Sequence, residues 1–415
     1  MYKKDYLDNG IPIVMESIKG IQSSAMGIWL KVGSRYESSQ KNGISHFLEH
    51  MFFKGTSNRT QKDISIAIDS VGGELNAFTS RETTAYYAIV LEDFIEIAVD
   101  VISDIFLNSQ FKPEDLKKEK EIVKDEIRMV EDTPDEYIFD LFYKDIWGNN
   151  HGLGMPVTGT DKTVDSFNRS DILNHIDQHY GLGDIVISCA GRINIKKVYS
   201  LFNKQLGSLN RKSTPAIIED QHFHPGLNVN EKDLLDVHMC LGIKSVEINN
   251  PLRYVFLLLN TILGMGVSSR LFQEVRENRG LAYTIHSFLS LYKDTGIFGV
   301  YTASGVDNYI EVIETILSEI KKLTGTISDL ELSRAKNQLK GYLIMALESS
   351  SGRMNNIARQ EIYYNNYLST DQIIAEIEKV TIKDIESIID QYLTKDKMAI
   401  TVLGNADIAK LSGII

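Results

Sequence analysis

The chain has 415 residues, 43% hydrophobic and 24% charged, an ordinary globular composition with enough length for two domains. Its 56 acidic and 44 basic side chains give a formal net charge of −12, which argues against nucleic acid and anionic membranes as partners. Two cysteines, Cys189 and Cys240, are too few for a disulfide scaffold and read as buried free thiols of a reducing compartment.

The N-terminal stretch "MYKKDYLDNGIPIVMESI" has no apolar core of the length an export signal needs. It runs through a "DNG" turn into a strand, "IPIVME". Strand-like segments follow at 24–33 and 83–91, with helical periodicity at 92–108 and 113–132. "DIVISCAGRI" (184–193) reads as a buried strand closing a first half. A polar stretch with Pro, Ser and Asn then marks a linker at 208–226 between domains 1–207 and 227–415.

The second half repeats the layout. "DVHMCLGIKS" reads as a strand, "NPLRYVFLLLNTIL" as a helix, and "GLAYTIHSFLSLYKDTGIFGVYTAS" as two strands around "KDTG". An amphipathic helix, "NYIEVIETILSEIKKLT", follows. The closing "MAITVLGNADI" echoes "IVISCAGRINI" at the end of the first half, as an internal duplication would. The apolar run at 254–267 is too short to span a bilayer. These features predict a soluble cytoplasmic protein; a mature mitochondrial-matrix chain without its transit segment would look the same.

The chemistry concentrates in "GISHFLEHMFFKGT" (43–56). On a helix, His46 and His50 stand one turn apart on one face, a spacing at which two imidazoles can share one Zn²⁺. Glu49 can stand beside the metal without binding it, where a general base for water belongs. A chance His-x-x-Glu-His is expected on the order of 10⁻² times in such a chain, and burying these groups unpaired is costly. Phe47, Leu48, Met51, Phe52 and Phe53 would supply the dry surround that a metal site needs. A third ligand is expected from an acidic residue on another helix. Glu119 and Glu126 are seven apart and share a face, with Ile122 and Val123 between them turning both carboxylates toward apolar surroundings. On the same helix Glu121 and Asp125 read as solvated charges.

"HFLEH" is an inverted zinc motif, followed 76 residues after His50 by Glu126. Together with "LDNGIPIVME", "GSRYES", "GGELNAFTSRETTAYYA", "EKEIVKDEI", "SSRLFQEVRENRGLAY" and "LGNADI", it resembles the pitrilysin family of inverzincin metallopeptidases. The likeness runs along the whole chain and is greatest to the bacterial processing-peptidase β-subunit branch. It implies an α+β fold of two homologous domains, each a mixed or antiparallel sheet packed with helices, forming a clamshell whose linker lets it open. It implies one Zn²⁺ per chain held by His46, His50 and Glu126, with Glu49 as general base and Glu119 supporting the site. "NAFT" (Asn76, Ala77, Phe78, Thr79) would be the edge strand that takes up an extended peptide. Arg276 and Tyr283, from the inactive second domain, would hold the substrate and its carbonyl oxygen.

The expected activity is that of a zinc endopeptidase acting on extended or presequence-like peptides, working alone or as a homodimer, with no nucleic acid or membrane partner. Two alternatives stand beside it. One is a non-catalytic subunit of a processing-peptidase-like complex, against which the complete His/Glu set speaks. The other is a metal hydrolase with a non-peptide substrate.

Overall fold

The computed structural model describes residues 1–214 and 222–413, so residues 215–221 of the expected linker lie outside the described residues. The chain forms two compact units. One comprises Met1–Met129, Asn150–Glu219 and Met345–Tyr367; the other comprises Val130–Asn149, Asp220–Ile344 and Leu368–Ile415. These units are not contiguous halves of the sequence, because each includes a segment from the other half.

The first unit is built on a six-stranded sheet. Its strands are β1 (Tyr2–Tyr6), β2 (Pro12–Ser17), β3 (Ser23–Leu30), β4 (Glu74–Thr79), β5 (Thr84–Leu91) and β6 (Ile185–Gly191), in the order β1-β2-β6-β3-β5-β4. Only β2 and β6 pair in parallel. The central strands β3 and β6 are buried almost throughout, so they read as continuous apolar runs rather than alternating ones. On one face pack the helices α1 (Ile44–Phe52), α2 (Gln61–Asp69), α3 (Ile95–Asn108) and α4 (Pro113–Glu131), over a core that includes Met26, Ile28, Phe47, Phe52, Val99 and Ile187.

The opposite face of this sheet is covered by a helix from much later in the chain, Ser350–Tyr364. Its Met354, Ile357 and Ala358 pack on Val14, Ala25, Trp29, Val186 and Ala190. Alanines at 25 and 190 let the helix come close, and the Ser188 hydroxyl donates to the Met354 carbonyl at 2.7 Å.

The second unit holds a five-stranded sheet of β7 (Gly226–Asn230), β8 (Asp236–Ser245), β9 (Thr284–Leu291), β10 (Gly296–Gly305) and β11 (Ala399–Leu403), ordered β7-β11-β8-β10-β9. Strand for strand this is the order β2-β6-β3-β5-β4, and again only the pair β7/β11 is parallel. The echo between the two closing strands thus reflects a repeated topology. Here the exchanged cover is α5 (Pro134–Trp147), whose Phe139 and Phe142 meet Phe288 at 5.2 and 6.2 Å between ring centroids. Gly242 makes room for it, since a Cβ there would lie 2.7 Å from Phe142 Cζ. Among the described residues no helix is long and apolar enough to cross a membrane. Cys189 and Cys240 are both buried and free.

Candidate metal centre

The motif helix α1 starts in an unusual way. Its N-cap is Gly43, at φ +89°, with no side-chain cap of its own. The orphan N–H groups of the first turn go instead to Glu37. Its carboxylate accepts from Gly43 N at 2.6 Å, Ser45 N at 2.7 Å and Asn42 Nδ2 at 3.1 Å. A negative charge at this end also suits the helix dipole. Burial nevertheless dominates and pushes the Glu37 carboxyl up to about 7, against the pull of Ser45, Gly43 and Asn42. Gly43 is required here twice over: by its positive φ, and because a Cβ would lie 2.5 Å from Thr158 O and 2.6 Å from Gly159 Cα. Ser45 Oγ meets His175 Nε2 at 3.2 Å, and complete burial holds that imidazole neutral, lowering it to about 3.

From this fixed start the helix buries Phe47, Leu48, Met51 and Phe52. His46 and His50 stand one turn apart and meet edge to face, with ring centroids 4.7 Å from each other. The facing helix α4 buries Leu116, Glu119, Val123 and Ile127. Ile122 departs from expectation. It is 50% exposed rather than part of the apolar surround, because at 100° per residue it falls on the solvent side of the buried stripe. Glu121 and Asp125 are exposed as expected, their side chains at 69% and 75%.

The geometry brings the expected ligands together. Glu126 Oε1 lies 3.5 Å from His46 Nε2, and Glu126 Oε2 lies 3.5 Å from His50 Nε2. One atom from each of the three residues falls within 4.8 Å of the others, and among the described residues this is the only such group. Ligand atoms about 2.1 Å from a tetrahedral zinc would stand roughly 3.4 Å apart, so this donor set fits the ion. Two imidazoles and one carboxylate are also the donor chemistry of a catalytic zinc with one position left open.

Glu119 lies outside this donor group but touches it. Its Oε1 is 2.9 Å from His50 Nδ1 and its Oε2 is 2.6 Å from Lys54 Nζ. Burial would raise this carboxyl, but His50 and Lys54 outweigh it and hold the group below its usual range. The His46 hydrogen bond likewise holds Glu126 low, against burial. Burial pulls His50 down, while Glu119, Glu126 and Glu49 lift it above the ordinary imidazole value. His46 Nδ1 is buried with no hydrogen-bond partner among the described residues. Of the two imidazoles, among the described residues only His50 has its Nδ1 held by a hydrogen bond.

Glu49 is anchored from the sheet: Thr79 Oγ1 donates to its Oε2 at 2.5 Å. Thr79 ends β4, which pairs with β5 on one side and with no other described strand. Asn76, Ala77, Phe78 and Thr79 all lie in β4. The Ala77 N–H is taken by the Asn76 side chain at 2.8 Å, so it points away from β5, toward the free edge. Phe78 packs edge-on against Trp29, 5.2 Å between centroids.

In the second unit Arg276 sits in a π-helical turn, Phe272–Asn278, a form frequent at functional sites. Its guanidinium lies 4.5 Å from the centre of the Tyr283 ring and 4.8 Å from that of Phe272. The two expected residues thus form one cation–π stack, with Tyr283 79% exposed. The closest carboxylate paired with Arg276 is Glu277, at 3.6 Å.

Sequence reasoning did not single out Glu37, Lys54 or His175. The first two lie inside quoted segments, "GSRYES" and "FFKGT", but nothing in their spacing shows that they meet α1 and Glu119. His175 lies 130 residues from the serine it touches.

Residues 12–161 match the family model described as Insulinase (Peptidase family M16), and residues 166–339 the one described as Peptidase M16 inactive domain. The uncharacterized zinc protease YmxG of Bacillus subtilis is 38% identical, over 95% of this chain and 97% of its own length. An uncharacterized zinc protease of Mycobacterium leprae is 35% identical, over 96% of this chain and 90% of its own. In structure the chain is similar to a protease from Helicobacter pylori, with TM-score 0.92 and 22% identity over 98% of this chain and 99% of the other. It is also similar to a chain of Complex III2 from Candida albicans, with TM-score 0.85 and 21% identity over 97% and 95% of the two chains. The chain belongs to peptidase family M16, with a peptidase-type first domain and an inactive-type second domain.

Proposed function

We propose that this chain is a zinc-dependent endopeptidase that cleaves peptides presented as an added strand along β4. The observation that carries the reading is the convergence of His46 Nε2, His50 Nε2 and the Glu126 carboxylate beside a base that is itself tied to the edge strand. One zinc per chain fits the one such donor group among the described residues. The ion would polarise the scissile carbonyl and lower the pKa of a water molecule.

The chain's own residues do the rest. The free edge of β4 aligns the peptide backbone through main-chain hydrogen bonds, which favours extended segments over folded ones. Glu49 takes the proton of the attacking water and delivers it to the leaving amine. Thr79 keeps that carboxylate aimed. Glu119 holds the His50 ring through Nδ1, leaving Nε2 for the metal. Arg276 and Tyr283 are the proposed donors to the carbonyl oxygen, and their stack leaves the Tyr283 ring well exposed.

The net charge of −12 favours basic, presequence-like peptides. A chain carrying a complete donor set needs no second catalytic subunit, which favours a self-sufficient enzyme or homodimer. Two buried free thiols fit a reducing, cytoplasmic setting. The complete donor set also argues against a purely structural subunit.

The test is metal content together with cleavage of a quenched fluorescent basic peptide, for wild type and Glu49→Gln. Zinc near one per chain in both is expected, with cleavage in the variant reduced by at least about 10²-fold. A variant that cleaves like wild type would remove Glu49 from its role. A wild type without zinc would reduce α1 to a core helix carrying two histidines.

A further inference from the structure

Glu119 is 2% exposed, yet both of its oxygens are engaged, one by His50 and the other by Lys54. Lys54 is not a fully solvated surface lysine. Its side chain is 19% exposed, and it sits just past α1, where its N–H donates to Met51 O at 3.2 Å. The turn that follows is pinned to α3. Gly55 takes φ +121°, Thr56 N donates to Arg59 O at 2.8 Å, and Thr56 Oγ1 donates to Asp104 Oδ2 at 2.8 Å. Arg59 grips Asp100 and Asp104 at 2.5 and 2.7 Å. The ammonium is thus delivered to Glu119 by a braced turn.

We propose that Lys54 is a positioning residue for the metal centre: it clamps the outer oxygen of Glu119 so that the inner one holds the His50 ring in its ligating orientation. The inference rests on the zinc reading above. A carboxylate held only through His50 could rotate about its side-chain bonds, and the ring would turn with it. Held at both oxygens, it can only accept from Nδ1–H, and Nε2 stays free toward Glu126. Lys54 touches neither metal nor substrate in this scheme and acts through Glu119 alone.

The test is the zinc dissociation constant, measured by competition with a chromogenic chelator. The proteins are wild type, Lys54→Met, Lys54→Arg, Glu119→Gln and the Lys54→Met/Glu119→Gln double variant. Lys54→Met should weaken zinc binding roughly tenfold, the low end of what outer partners of metal ligands contribute. Lys54→Arg should restore most of it, since a guanidinium can hold the same oxygen. In the Glu119→Gln background Lys54→Met should add nothing, because the two act as one unit. Should Lys54→Met not fold, as read by far-UV circular dichroism of the metal-free protein, Lys54→Gln carries the same comparison. Wild-type-like zinc affinity in the lysine variant overturns the proposal, as does an equal loss with and without Glu119. A wild type that binds no zinc overturns the metal reading and this inference together.

Discussion

Thr79 Oγ1 donates a 2.5 Å hydrogen bond to Glu49 Oε2, so the last residue of an edge strand holds the carboxylate of the motif helix. The two groups are thirty residues apart in sequence and sit on different elements. A peptide that adds to β4 would therefore be registered against the same strand that aims the base.

If that link matters for turnover, removing the hydroxyl should lower kcat more than it raises KM. A hydrogen bond to a charged group is worth about 1.5–3 kcal/mol, so Thr79→Val should lose roughly ten- to a hundredfold in kcat. Thr79→Ser should keep most of the activity, and zinc content should be unchanged in both. Steady-state kinetics with metal analysis checks this; a Thr79→Val enzyme with full kcat would count against the role.

Glu37 gives the fold a pH dependence of definite sign. Its folded carboxyl is pushed up to about 7 from 4.5, so the native state binds a proton where the unfolded chain has released one. Its contribution to stability is greatest below the unfolded value and declines as pH rises to about 7, levelling off above. Glu37→Gln cannot titrate. Across that window it should gain on wild type by about 3 kcal/mol, the linkage value of such a shift. Urea unfolding of both proteins from pH 4.5 to 8 reads the difference; parallel curves would show that Glu37 titrates normally.

Gly43→Ala should be destabilising beyond the usual surface range, by about 2 kcal/mol or more, because it combines a positive φ with a backbone clash. The cost falls at the start of the helix that carries His46 and His50. Zinc affinity should therefore fall along with the thermal midpoint, and calorimetry with and without zinc separates the two effects.

Much of this was legible in the sequence, for reasons that differ by element. The strands at β3, β5, β6, β8, β9 and β10 announced themselves by apolar runs between turn residues, and α4 by its helical spacing. The histidine pair was legible from its spacing on one helical turn, which left Glu119 and Glu126 both open as the acidic partner; the choice of Glu126 came from the family resemblance alone. The exposure of Ile122 was not, since a seven-residue spacing identifies a face but not where the buried stripe falls across it. Neither was the Glu37 cap, because carboxylate-to-amide contacts across a loop leave no periodic trace. The covers of the two sheets were equally hidden. The apolar faces of α5 and of Ser350–Tyr364 show that each helix must pack, and nothing local says on which sheet.

That exchange of covers threads the chain repeatedly from one unit to the other. It passes between the units at 129/130, 149/150, 219/220, 344/345 and 367/368, so no single backbone cut separates them. A nick within 208–226 leaves the helix that shields Trp29 on one fragment and the sheet it shields on the other. Such fragments have reason to stay together as a complementing pair. A gene truncated at that point would encode a sheet with one bare apolar face.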